Sequence, residues 1–449
     1  MTVTELPPAA PTASRGSPTS VLDHAVAVAA VGAAAADDER RLVPEVADAL
    51  SRAGFSRHFV PRRWGGDEES FGELLTRAAA VGDACASAAW CAALYAAHGR
   101  FAAYLPYEGQ RDLWDTSPDV RIAAGIMPAT GTAVRVGAGW HLRGEWTCVS
   151  GVDRADWVLL AAVEQDADQR PAATGPGRRR GDENDPSGRS VESGTGRSPG
   201  SGEDQGERSV AFGSGRSRVG EGDPGDRPVV RVFAVPAADV RVRDSWHATG
   251  VRGTGSHTVV VSEVLVPDHR TFLMAELLAG TPREGRARCH AVPAMLGGGL
   301  IFAAAGLGAA RHALAAWTRW AVRPAGPTGV APLEADEAAR TALGRSSAEI
   351  EAARLLLEAA AGRADGVDLA DARATSEAVA LNRRDAAVAT DLLVGAVERL
   401  FRTGGVHARE DDGELQRCWR DLHTIAAHSV LRPGPAADAY AEVAAAALR

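Results

Sequence analysis

Apolar residues recur at helical spacing over two long stretches of this 449-residue chain, with short β-branched runs between them. The first stretch, residues 21–119, is alanine-rich: VLDHAVAVAAVGAAAADDERRLVPEVADAL, then SFGELLTRAAAVGDACASAAWCAALYAAHGRFAAYL. It predicts several helices broken at Gly54, at residues 61–66 and at Pro106, where glycine and proline interrupt the period. Residues 120–270 change character. WHLRGEWTCVSG, DWVLLAAV, VVRVFAVP, VRVRDSW and HTVVVSEVLVP predict strands of a small sheet or barrel. Residues 285–449 return to helical spacing in four long amphipathic stretches, the pattern of a four-helix bundle. The expectation is an α+β chain with an N-terminal helical domain, a middle β-domain and a C-terminal bundle.

Two segments stand outside this plan. Residues 164–228 are rich in Gly, Ser, Arg, Asp and Glu and nearly free of large apolar side chains. Such a segment cannot bury enough surface to offset its ordering entropy, so it is expected to be a disordered insertion, a tolerated loop expansion between two strands. Residues 1–20 read as a loose tail without a basic start followed by an apolar core, so no secretory signal is expected. The apolar run 26–36 is short for a bilayer and is followed by Asp37, Asp38 and Glu39.

Composition narrows the function. Hydrophobic residues make up 45% and the formal charge is −9, which gives no electrostatic case for a nucleic acid or an anionic membrane as partner. The five cysteines (Cys85, Cys91, Cys148, Cys289, Cys418) show no CxxC spacing. A disulfide framework and a metal site are not expected, and reduced thiols in a cytoplasmic protein are.

Three motifs carry candidate chemistry. The first is GEWTCVSG, residues 144–151, ahead of the strand ADWVLLAAV. The second is DSWHATGVRGTGSHTVVVSEVLVPDHRT, residues 244–271. The third is LFRTGGVHAREDDGELQRCWRDLHTIAAHSVL, residues 400–431. Taken singly, Ser150 is a turn serine and each histidine a capped or surface residue. GVRGTGS is not a dinucleotide fingerprint, because its spacing differs and a strand rather than a helix follows.

In order and content, these motifs and the helix–sheet–helix plan resemble the acyl-CoA dehydrogenase superfamily, and within it the flavin-dependent monooxygenase branch. The resemblance implies the oxygenase component of a two-component system. It would take reduced FMN or FAD from a separate flavin reductase and use O2 to oxidise a small organic substrate, as a homotetramer. Ser150 would lie at the flavin N5, with Thr147 beside it and Trp146 shaping the wall. Arg252 and Thr254 would hold a phosphate or the polar end of the flavin, or else brace the β-domain. Gly404 and Gly405, with Phe401, would approach the flavin of a neighbouring subunit. His428, rather than His423, would be the base, and His98 would orient the substrate. Histidine suits a base at neutral pH. Arg420 and Asp421 are expected to form a structural ion pair.

The chain also departs from the family pattern. Cys148 stands where an aromatic is usual and is expected to be a small buried hydrophobe. Ala123, Ala124 and Gly125 stand where members acting on phenols often carry serines, so a phenol bonded there is not expected. The region HTIAAHSVLRPGPAADAY lacks the glutamate that acyl-CoA dehydrogenases use to remove an α-proton, which argues against desaturation. Glu349, Glu351 and Glu358 read as a solvated helix face. FAD-dependent dehydrogenation and a non-catalytic flavin-fold scaffold remain as alternatives.

Overall fold

The computed structural model describes residues 18–165, 228–281, 287–324, 329–410 and 413–449. Residues 1–17 of the expected tail and 166–227 of the expected insertion lie outside the described residues. Five helices come first: α1 (Pro18–Glu39), α2 (Pro44–Arg52), α3 (Phe71–Gly82), α4 (Ala86–Ala102) and α5 (Tyr107–Trp114). The breaks fall where glycine and proline put them. Gly54 and Gly65 adopt left-handed backbone, and Pro106 precedes α5. Ser70 opens α3 by accepting from the Glu73 N–H. Helix α4 is apolar on every face and nearly all of its residues are buried, as expected of a central helix.

The sheet follows, with strands β1 (Ile122–Gly125), β2 (Gly131–Val136), β3 (Gly139–Val149), β4 (Trp157–Gln165), β5 (Val230–Pro236), β6 (Arg241–Arg243), β7 (His257–Pro267) and β8 (Thr271–Leu273). Their order is β6-β7-β3-β2-β4-β5-β8. β1 and β2 both run parallel to β4, pairing with its first and second halves in turn. The chain between them, carrying Ile126 and Met127, is thereby pushed out of the sheet. β4 and β5 are antiparallel neighbours, with Val163 opposite Val230 at the point where the insertion departs.

The C-terminal part holds α6 (Met274–Ala279), α7 (Arg288–Ala291), α8 (Ala294–Ala321), α9 (Pro332–Ala335), α10 (Glu337–Gly366), α11 (Ala372–Thr403), α12 (Glu414–Ala426) and α13 (Pro433–Ala446). α8, α10, α11 and α12 pack on one another, and α3 and α4 pack on α8. The N-terminal helices and the bundle therefore share one hydrophobic core, running from Leu50 and Phe59 through Trp90 to Leu393 and Leu422. The reason is local: alanine and glycine on α3, α4 and α8 let the backbones approach. A Cβ on Gly308 would lie 2.4 Å from the Ala79 carbonyl oxygen. α1 and α8 are each long and apolar enough to cross a membrane by length and composition, and most of the α8 window is buried inside the fold.

The sheet is fastened to the bundle at one clasp. Val251 sits in left-handed backbone, and its N–H donates to the buried Asp421 carboxylate of α12 at 2.5 Å. The neighbouring Arg420 pairs with Asp37 of α1 at 2.8 Å. Arg420 and Asp421 are thus both structural, but they bind different partners rather than each other.

Candidate active site

A cavity of about 400 Å³ opens where the sheet meets α4, α8 and the end of α12. Each element contributes the face its period dictates. From α4 come Trp90, Leu94, Ala97, His98 and Phe101, at spacings of one, two and three turns. From α8 come Ala294, Met295, Gly298, Ile301 and Phe302. The sheet supplies Thr147, Cys148, Ser150, Thr254 and Ser256, and the chain beyond α12 supplies His428.

The sheet residues reach the cavity through a bulge. β3 pairs with β7 in one register from Gly144 opposite Val261 to Trp146 opposite Val259, then shifts before Val149 opposite His257. Thr147 and Cys148, the two bulge residues opposite the single Thr258, stand exposed on the cavity wall, with Cys148 in left-handed backbone. Cys148 is thus exposed rather than a buried hydrophobe. Cys91, Cys289 and Cys418 are buried, and burial pushes their thiols above the usual range.

Beyond the bulge, Ser150 (8% exposed) joins a chain of hydroxyls. Its Oγ accepts from the Trp90 indole N–H at 3.1 Å and bonds Ser256 at 2.7 Å, and Ser256 bonds Thr254 at 2.7 Å. The Thr254 carbonyl fixes the backbone by accepting from the Gly151 N–H at 2.7 Å. This gives the cavity one polar edge of hydroxyls in an otherwise apolar wall.

His98 is 5% exposed, and its Nδ1 lies 2.8 Å from the Ile122 carbonyl oxygen. A carbonyl can only accept, so Nδ1 carries the proton and Nε2 presents a lone pair. His428 lies two residues past the end of α12, at the N-cap of a 3-10 turn over Ser429–Leu431. Its Nδ1 accepts from the Val430 N–H at 3.4 Å, so its neutral ring carries the proton on Nε2. The ring stacks on Phe302 (centroids 3.8 Å, 29°) and meets Trp90 edge-on at 5.7 Å. Desolvation lowers both histidines to a pKa of about 4, with the Arg432 charge adding to the effect at His428. Both are neutral at pH 7. His423 does not line the cavity; its ring lies tilted at 42° against Trp419, with Nδ1 2.8 Å from the Trp419 carbonyl oxygen.

Three other candidates lie off this wall. Trp146 is in the β-domain core, donating to the Ala161 carbonyl at 2.8 Å. It supports the wall from behind: a Cβ on the cavity residue Gly125 would lie 2.8 Å from the Trp146 Cβ. Arg252 braces α1 by donating to the Asp37 carbonyl at 2.9 Å and is not a lining residue. Gly404 caps the end of α11 and Gly405 follows in left-handed backbone, and neither lines the cavity. Trp90, Phe302 and Ser256 were not singled out from the sequence, and on α4, buried on nearly every side, no hydrophobic stripe marks the face that carries Trp90.

The wall suits a flat amphipathic ring: the hydroxyl strip and the open bulge backbone offer polar partners along one edge, and Trp90, Ile301 and Phe302 an apolar surface. No Asp, Glu, Lys or Arg lines the cavity among the described residues, so the fit extends to a flavin ring and not to its phosphate end. Glu349 pairs with Arg399, and Glu351 and Glu358 pair with Arg354, all outside the cavity.

The buried histidines set an acid limit on stability. His58, also buried, shares a pKa lowered to about 4 by desolvation. Each group's folded value lies below its unfolded value of about 6.5, so the unfolded chain binds more protons between those limits. Stability contributed by the neutral rings is complete above pH 6.5 and lost as pH falls towards 4, on the order of 3 kcal/mol for each fully buried ring. Asp421, raised to about 6 by burial, works in the opposite direction over an overlapping range. Urea unfolding at pH 7.5 and pH 5 is expected to show a clearly less stable protein at pH 5. A flat profile would show that these rings are solvated.

Comparison with known proteins follows the same lines. Residues 300–433 match the family described as acyl-CoA dehydrogenase, C-terminal domain. The oxygenase component of an FADH(2)-dependent resorcinol hydroxylase from Rhizobium sp. (strain MTP-10005) is 26% identical over 404 residues, covering 87% of this chain and 85% of that protein. The flavin-dependent monooxygenase oxygenase subunit HsaA of Rhodococcus jostii (strain RHA1) is 26% identical over 402 residues, covering 88% and 90%. Among solved structures, 3-HSA hydroxylase from Rhodococcus sp. RHA1 superposes with a TM-score of 0.75 at 23% identity, covering 96% of this chain and 97% of that one. XiaF from Streptomyces sp., in complex with FADH2 and glycerol, gives 0.75 at 22% identity, covering 96% of each.

Proposed function

We propose that the chain belongs to the acyl-CoA dehydrogenase superfamily, on its flavin-dependent monooxygenase branch, and is the oxygenase component of a two-component monooxygenase acting on a small aromatic substrate; the family match over residues 300–433 and the relatives at 26% identity support this reading. It takes reduced FMN or FAD from a separate reductase. The observation that carries this reading is the meeting of Ser150, His98 and His428 on one cavity in which no carboxylate stands among the described lining residues. Removal of an α-proton beside a thioester needs such a carboxylate, whereas oxygenation needs a dry pocket and neutral proton-handling groups.

A bound reduced flavin would supply the electrons with which O2 is activated. The protein's own groups do the rest. Ser150, held by Trp90 and Ser256, sets a hydroxyl at the ring's polar edge, with Thr147 and Thr254 alongside. His98 offers Nε2 as acceptor for a substrate O–H or N–H. His428 donates from Nε2, reversing the division of labour that the family resemblance implies. The aromatic wall of Trp90, Phe101 and Phe302 excludes water and stacks on the substrate. We place the protein in the cytoplasm as a homotetramer, in which the segment from Phe401 to Gly405 reaches a neighbouring subunit's flavin.

Anaerobic titration with reduced FMN and reduced FAD tests this function. Micromolar binding of at least one, weakened severalfold in Ser150→Ala, is expected. Absence of binding to either would support a non-catalytic scaffold instead.

A further inference from the structure

The cavity wall has two properties that act on a ligand in opposite ways. The first is the absence of charge among its described lining residues. Its titratable side chains are His98, His428 and Cys148, and both imidazoles are neutral at pH 7. Arg432, whose charge reaches His428, is exposed and does not line the cavity. An anionic group entering here would lose its hydration with no cation among the described lining residues to replace it, which is strongly unfavourable. The first turn of α8, at Ala294 and Met295, would favour an anion, but such a helix end offsets only a small part of that loss.

The second property is adaptability. The chain has four methionines, and three of them, Met127, Met274 and Met295, stand on this one wall. Unbranched thioether side chains change shape at little cost and suit irregular or varied apolar ligands. Gly298 adds room, since a Cβ there would meet only Val430 Cγ1 at 3.7 Å.

We propose that this site takes uncharged aromatic substrates of varied outline and rejects their carboxylate-bearing counterparts, so that it is tolerant of shape and intolerant of charge. The inference rests on the monooxygenase reading, because it assigns the cavity beside the flavin ring to the substrate. Polar recognition is limited to neutral groups: a hydroxyl or N–H donating to His98, and an oxygen accepting from His428. The class of reaction that supplies such a substrate leaves no free carboxylate on it.

The test is binding to the protein loaded with oxidised flavin, measured by difference spectroscopy, with each ligand paired to its acid. The neutral probes are phenol, 2-naphthol and 4-phenylphenol, and the acids are 4-hydroxybenzoate, 6-hydroxy-2-naphthoate and 4′-hydroxybiphenyl-4-carboxylate. The three neutral probes are expected to bind within about tenfold of one another, and each acid on the order of 100-fold more weakly than its neutral parent. Met127 is 40% exposed and can carry a longer side chain. Met127→Arg is expected to recover at least tenfold of the acids' lost affinity relative to their neutral parents measured in the same variant. Acids that bind as tightly as their parents, or a failure of every neutral probe to bind at millimolar concentration, would overturn the proposal. Failure of the flavin itself to bind would instead remove the monooxygenase reading, and the loading step reports that separately.

Discussion

His428→Ala is expected to lower product formation by a factor on the order of 100 or more while reduced flavin still binds within a few fold of wild type. The ring closes the cavity between Phe302 and Trp90, and its Nε2–H is the one imidazole donor on that wall. Truncation removes the donor and opens a path for water. The choice of replacement separates the roles. Glutamine places an N–H near the Nε2 position, so His428→Gln should retain several times more activity than His428→Ala. At His98, asparagine keeps a donor towards the Ile122 carbonyl but supplies no lone pair at the Nε2 position. His98→Asn should therefore lose substrate affinity and turnover together. Full loss in His428→Gln with a mild effect in His98→Asn would restore His428 as the proton acceptor. Single-turnover product yield, measured with saturating reduced flavin, distinguishes these outcomes.

Gly250→Ala is expected to be the most disruptive single-methyl change at the junction between sheet and bundle. Its Cβ would lie 2.1 Å from the Arg420 carbonyl oxygen and 2.6 Å from the Asp421 N, both backbone atoms that cannot rotate aside. Relief requires α12 to move, and with it the Asp421–Val251 clasp and the segment that ends at His428. A loss of about 3 kcal/mol or more is expected, read as a lowered denaturant midpoint. Flavin and substrate binding should weaken in parallel. A Gly250→Ala protein of wild-type stability would show that the close approach of α12 to residue 250 is wrong.

The helix–sheet–helix plan was legible because each part has its own period: alanine-rich helical spacing to residue 119, β-branched runs to residue 270, and amphipathic stretches beyond. Thr147, Ser150, Thr254 and His428 on the cavity lie in the three motifs, whereas His98 came from the family resemblance alone and Ser256 was missed. Trp146 misled for a definable reason. Alternation along an undisturbed strand would place Trp146, Cys148 and Ser150 on one face, and the bulge at Thr147 and Cys148 breaks that alternation. Trp146 therefore turns into the sheet core while Ser150 faces the cavity. Trp90 was hidden by composition. In a helix buried on every side, no hydrophobic stripe marks the face that meets the ligand. The Asp421–Val251 clasp joins residues 170 apart, and no local pattern announces it.

The proposed function requires this cavity to hold a reduced flavin ring with Ser150 at its polar edge and to keep water from it. The rate at which O2 reoxidises reduced flavin, followed by stopped-flow absorbance with excess protein, tests this most directly. The expected result is a transient species that decays far more slowly than free reduced flavin is oxidised, and whose lifetime shortens in Ser150→Ala. Reoxidation at the free-flavin rate in the wild-type protein, with no transient, would contradict it.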